Sequence, residues 1–133
     1  MTTTPTDDTT GRRYGFPSRL RLTHAREFRA VFDARLRHHA GPMLVHARPN
    51  GRDHPRLGLS ISRKVGHSVV RSRLRRHLRE AFRLLQHDFP NGYDIVISMR
   101  RHEPLMFAEY QRLLFKAIRA IDRRVRDGGG SAP

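Results

Sequence analysis

Between Arg56 and Leu85 the hydrophobic period of this chain changes abruptly. From Arg56 to Ser62, Leu57, Leu59 and Ile61 alternate strictly with Gly58, Ser60 and Ser62, the period-two signature of a strand with one buried face. The second face carries only small residues, an open sheet surface that a ligand backbone can approach closely. Gly66 marks the break. Beyond it Val70, Leu74, Leu78, Ala81 and Leu85 recur at helical spacing and, at ~100° per residue, fall within one narrow stripe. Ser68 or His67 is placed to cap that helix. A strand followed at once by a helix with so narrow an apolar stripe has to lay the helix on a sheet and leave most of its surface in water.

What the helix offers to water is basic. Between Arg63 and Arg79 there are seven Lys/Arg and two His and no acid. Arg71, Arg75 and Arg79 form the row next to the apolar stripe, with Arg76 and Arg83 further round. The planar guanidinium grips phosphate oxygens in a two-pronged way and stays charged at every relevant pH. The whole chain has 27 Lys/Arg against 12 Asp/Glu, a net charge of +15 over 133 residues. All the basic residues except Lys64 and Lys116 are Arg, as GC-rich coding favours. That bias exchanges Lys for Arg without removing acids, so the excess stands and points to nucleic acid. With no cysteine, disulfides, thiolate metal sites and a Cys nucleophile are excluded, and a reducing cytoplasm is the expected setting. No apolar run approaches the ~20 residues that span a bilayer, so no membrane role is expected.

One domain, residues 14–126, is expected between a solvated N-terminal tail (1–13), neither secretory signal nor transit peptide in composition, and a Gly-rich tail (127–133). Thr23 is placed to cap a helix reaching about Arg37, with Phe28, Val31, Phe32 and Leu36 on one face. Gly41-Pro42 closes it, Met43–Arg48 reads as a strand, and residues 49–55 read as a turn. After Pro90-Asn91-Gly92, a second turn, comes a strand at Tyr93–Met99. Glu103-Pro104 opens a last helix with a stripe of Phe107, Tyr110, Leu114, Ala117, Ile118, Ile121 and Val125. The order is α-β-β-α-β-α, an α+β domain with three helices on one small mixed sheet. No catalytic centre is expected in the protein itself. Glu27 and Asp94 are the only acids near the sheet, the histidines stand singly, and a two-metal phosphodiesterase needs clustered carboxylates.

The segment R-K-V-G-H-S-V-V-R-S-R-L-R-R-H-L-R-E-A-F resembles the signature of the bacterial ribonuclease P protein family, roughly K-x-G-x-A-V-x-R-N-R-x-K-R-x-x-R-E. Lys64, Gly66, Val69, Arg71, Arg73, Arg76, Arg79 and Glu80 stand at matching places. R-L-T-H-A-R-E-F-R-A-V-F is similar to the family's opening helix, R-L-G-L-S-I-S to its next strand motif and G-Y-D-I-V-I to its later one, so the likeness covers residues 19–121. Ser72 and His67 replace two Asn residues usual in the family.

The resemblance implies that the protein assists a catalytic RNA, which removes the 5′ leader from precursor tRNA with Mg²⁺ held mainly by the RNA, and that no metal is held by the protein alone. It implies that Arg63, Lys64, Arg71, Arg73, Arg75, Arg76 and Arg79 bind ribonuclease P RNA. It also implies that Phe28, Phe32, His46, Gly58 and Ser60 bind the leader of precursor tRNA. The same resemblance implies a left-handed crossover between the parallel strands flanking the basic helix, as in the second domain of a small-subunit ribosomal protein. A structural RNA-binding protein of the ribosomal type is the alternative. A DNA-binding regulator is disfavoured, because a strand rather than a second helix precedes the basic helix.

Overall fold

The strand at Tyr93–Met99 is the axis of the fold, buried on both faces. A computed structural model of the chain describes residues 17–89 and 92–128. Its elements are α1 (Ala25–Asp33), β1 (Leu36–Ala40), β2 (Met43–Pro49), β3 (Arg56–Ser60), α2 (Ser68–Leu85), β4 (Tyr93–Met99) and α3 (Phe107–Gly128). The sheet order is β1-β2-β4-β3, with β1/β2 and β2/β4 antiparallel and β3/β4 parallel. The expected tail at 1–13 and Pro90-Asn91 of the expected turn lie outside the described residues. At the other end α3 runs on to Gly128.

Alternation along the strands sorts the core into two layers. Met43, Val45 and Ala47 of β2, Leu57 of β3 and Tyr93, Ile95, Ile97 and Met99 of β4 share one cluster with Leu74, Leu78, Ala81 and Phe82 of α2 and Leu114, Ala117, Ile118 and Ile121 of α3. On the opposite face Val96 packs with Val31 of α1, Leu22 and the half-buried Phe28. Helices α2 and α3 therefore lie together on one face, and α1 lies on the other.

Three expectations are corrected. The first helix does not reach Arg37, and Thr23 is not its cap. It begins after His24 and ends at Asp33, because Arg35 takes a left-handed conformation (φ 57°) that a helix cannot continue through. Leu36 then belongs to the added strand β1, paired with Ala47 across a hairpin that turns at Gly41 (φ 60°). The strand after it stops at Ser60, and Ser62 instead accepts a hydrogen bond from the Lys64 N–H at 3.3 Å, starting a short 3-10 turn at Arg63–Val65. The last helix begins at Phe107, not at Pro104. The Tyr110 hydroxyl accepts from the Leu105 N–H (3.1 Å) and lies 2.7 Å from His102 Nε2, while His102 Nδ1 lies 2.8 Å from the Arg100 carbonyl. These bonds hold residues 100–106 as an irregular connection.

Candidate nucleic-acid interface

The rows of α2 separate once the helix is docked. Leu74 and Leu78 face the core, and Arg75 and Arg79, each one residue further on, lie along the flank beside β3, with Arg71 in line one turn earlier. Arg73 and His77 lie on the flank beside α3, and Ser72 and Arg76 point outward. Arg75 and Arg79 line a groove together with Arg21, Leu22, Thr23, Phe28, Gly58 and Leu59. Ser68, Val69, Ser72, Arg73 and Arg76 line a shallow depression on the outer side. Arg63 and Lys64 are exposed on the turn ahead of the helix. Arg71 is half-buried, and its Nε donates to the Gly66 carbonyl at 3.2 Å, bracing the loop that enters α2. The RNA-binding residues expected from the sequence thus occupy three aspects of one helix and its leading turn.

Across the sheet, α1 brings Phe28 and Phe32 to different neighbours. A Cβ built on Gly58 would lie 2.6 Å from Phe28 Cζ and 2.8 Å from Cε2, so the ring rests directly on the glycine backbone. The floor expected to be open at Gly58 is therefore covered, and the small residue serves ring packing at that point. Ser60, one pleat further on, is exposed. Phe32 keeps 37 % of its surface and meets His46 edge-on, with ring centroids 4.7 Å apart. His46 is buried beneath it and its Nδ1 has no partner among the described residues. Burial holds this imidazole below its usual pKa, and the charges of Arg37 and His39 push the same way.

The end of α1 is fixed to the sheet by an ion-pair hub. Arg56 donates through Nε and Nη2 to the two oxygens of Asp94, both at 2.8 Å, and through Nη1 to Glu27 Oε2 at 3.2 Å. Asn50 Nδ2 donates to Asp94 Oδ1 at 2.7 Å. The other oxygen of Glu27 accepts the Thr23 and His24 N–H groups at 3.0 and 3.1 Å, satisfying donors at the helix start. Burial raises the Asp94 pKa, but hydrogen bonds from Arg56 and Asn50 and the nearby arginine charges outweigh it and leave the group below the ordinary carboxylate value. The His24 backbone hydrogen bond is the main cause that lowers Glu27. Both acids near the groove are thus engaged by Arg56. Among the described residues no cluster of three His, Cys, Asp or Glu side chains could hold a metal.

Arg21 and Arg56 carry no expected role in the sequence, and Thr23 is expected there only as a helix cap. Their signal was present: R-L-R-L-T alternates like a strand, and Leu22 does donate its N–H to the Leu57 carbonyl at 2.9 Å. His77, one of the two His in the basic run, and His102 both contact Tyr110, His77 stacking on it at 5.6 Å.

Residues 16–122 match the family described as Ribonuclease P. The chain is 40 % identical to the ribonuclease P protein component of Chromohalobacter salexigens over 84 % of its length and 89 % of that protein's. It is 34 % identical to that of Desulfovibrio desulfuricans over 91 % and 95 %. In three dimensions it resembles the RNase P protein from Thermotoga maritima with a TM-score of 0.70 and 31 % identity, covering 76 % of this chain and 96 % of that one.

Proposed function

The chain belongs to the ribonuclease P protein family, the protein component of a tRNA-processing ribonucleoprotein endonuclease partnered with RNase P RNA, and from that membership we propose how its surface is divided between two RNAs. The outer side of α2, with Arg73, Arg76, Arg63 and Lys64, lies against the phosphates of RNase P RNA. The groove and the α1 face take the unpaired 5′ leader of precursor tRNA. Hydrolysis then occurs in the RNA subunit, which holds the Mg²⁺. This chain contributes position and charge, since Glu27 and Asp94 are already engaged by Arg56. We place the assembly in the cytoplasm; no helix among the described residues is long and apolar enough to cross a membrane.

The observation that carries this reading is the turning of Arg75 and Arg79 into the same groove as Phe28 and Gly58. One wall of the groove is cationic and the other aromatic. Single strands ask for that pairing, because the backbone follows the charge while bases stack on rings. The test is reconstitution with RNase P RNA and cleavage of precursor tRNA. Replacing Arg73 and Arg76 by Ala should weaken assembly and reduce the log–log salt dependence by about 0.9 per lost phosphate contact. Replacing Arg75 and Arg79 should instead lower affinity for precursor tRNA relative to mature tRNA. Equal losses from both pairs in both assays would refute the division.

A further inference from the structure

Helix α3 carries a second row of cations that the division above leaves unused. Lys116, Arg119 and Arg123 are all exposed. Their spacing keeps them within ~60° of one another and spans about 10 Å of helix. The acids of α3 do not answer them: Asp127, one turn beyond Arg123, makes no ion pair with it among the described residues. Glu109 is held by Arg112. Asp122 is turned inward, accepting from the Tyr93 hydroxyl at 2.9 Å and pairing with Arg126 at 2.9 Å. Arg119 lies over the Phe115 ring at 5.5 Å, which orients its guanidinium. The positive surface continues onto β1, where Arg124 donates to the Arg37 carbonyl. His38, half-buried beside it, titrates below its ordinary value through burial, and the charges of Arg124 and Lys116 act in the same direction. Crowding cations in this way costs a protein of net charge +15 self-repulsion that an external polyanion relieves.

We propose that this α3–β1 face is a second RNA contact and takes the phosphate backbone of a base-paired stem of RNase P RNA. The inference rests on the family reading above, and two observations select this occupant. The rings along α3 are turned to the core: Tyr110 is buried, and Phe107 and Phe115 are half-buried against it. Unpaired bases therefore find no open ring to stack on, whereas a duplex presents two closely spaced rows of phosphate charge and needs none. Helices α2 and α3 also share one face of the sheet, so a single folded RNA reaches both rows, while α1 occupies the other face.

The chain contains no cysteine, so Arg123→Cys supplies a unique attachment point for a tethered hydroxyl-radical source in the reconstituted holoenzyme. The expected result is cleavage of both strands of one stem of RNase P RNA. In parallel, the triple variant Lys116→Gln, Arg119→Gln, Arg123→Gln should lower the salt dependence of RNA binding by about two to three units, at about 0.9 per contact, with an unchanged melting temperature. Cleavage confined to tRNA or to unpaired segments, or an unaltered salt dependence, overturns the proposal. The Arg73/Arg76 variant separates the two readings. If it alone weakens binding, the α3 contact fails and the α2 contact stands; if neither variant does, both fail.

Discussion

Phe28 and Phe32 stand one helical turn apart and play different parts. Phe28 packs half-buried against the small core under α1 and shows its remaining surface to the groove, whereas Phe32 offers more than a third of its surface to solvent above His46. Phe32→Ala should therefore cost ~1–3 kcal/mol of precursor-tRNA affinity, one base stack, with little change in melting temperature. A large fall in melting temperature with an unaltered precursor-to-mature ratio would assign Phe32 to the core. Gly58→Ala tests the other ring. Its new methyl would meet Phe28 at 2.6 Å and the Leu22 Cβ at 3.2 Å, so ring or helix has to shift. A loss of ~1–3 kcal/mol in denaturant unfolding is expected, and a stability equal to the parent's would show that the ring yields freely. The sequence pointed to a ligand backbone as the reason for a small residue at position 58, whereas the neighbour that needs it is the Phe28 ring, thirty positions earlier.

At the scale of elements, the helix α2 and the central strand were legible because each carries a long, unmixed period. The hairpin was not. Leu36 follows Phe32 by four residues and continues a helical stripe as well as it begins a strand; the left-handed Arg35 decides between them, and nothing in its residue type announces that conformation. Helix α1 depends on the hub at its start, so Arg56→Ala should leave Asp94 buried without its main partner and destabilise the protein by ~3–5 kcal/mol. The pH response has a defined sign. Asp94 and Glu27 titrate below their ordinary values in the folded chain, so their stabilisation is complete above those values and is lost as the pH falls through the lower folded ones. Removing Arg56 raises the folded value of Asp94, and the acid-unfolding midpoint should move to higher pH. A midpoint that stays in place would mean that the fork contributes nothing to folding.

For the molecule as a whole, three imidazoles are held below their ordinary pKa, each mainly by burial and each with cations adding to the effect: His77 by Arg73 and Arg76, His38 by Arg124 and Lys116, and His46 by Arg37 and His39. In the free protein this stabilises the fold above the ordinary histidine value and withdraws that contribution as the pH falls below it. Phosphates arriving beside the same cations reverse part of the shift, so RNA binding should take up protons. Affinity for RNase P RNA, measured at fixed ionic strength, should rise as the pH is lowered from 7.5 to about 6. A flat profile would show that the bound phosphates leave these rings unaffected. The groove was legible in part: Phe28 and Gly58 were expected on one leader-binding surface, whereas the entry of Arg21, Arg75 and Arg79 was not, since α2, β3 and the segment before α1 meet only after the parallel β3/β4 pair has formed.

Strand β4 is a partition, with Ile95 and Ile97 serving one layer and Val96 the other. On the proposed division, α1 and its sheet face can therefore be altered with little effect on the packing of α2 and α3, because the two layers meet β4 on opposite sides. Arg75 and Arg79 are the exception. They stand on the helix of one layer and line the groove of the other, so the proposed leader groove cannot change at these positions without a change on α2 itself.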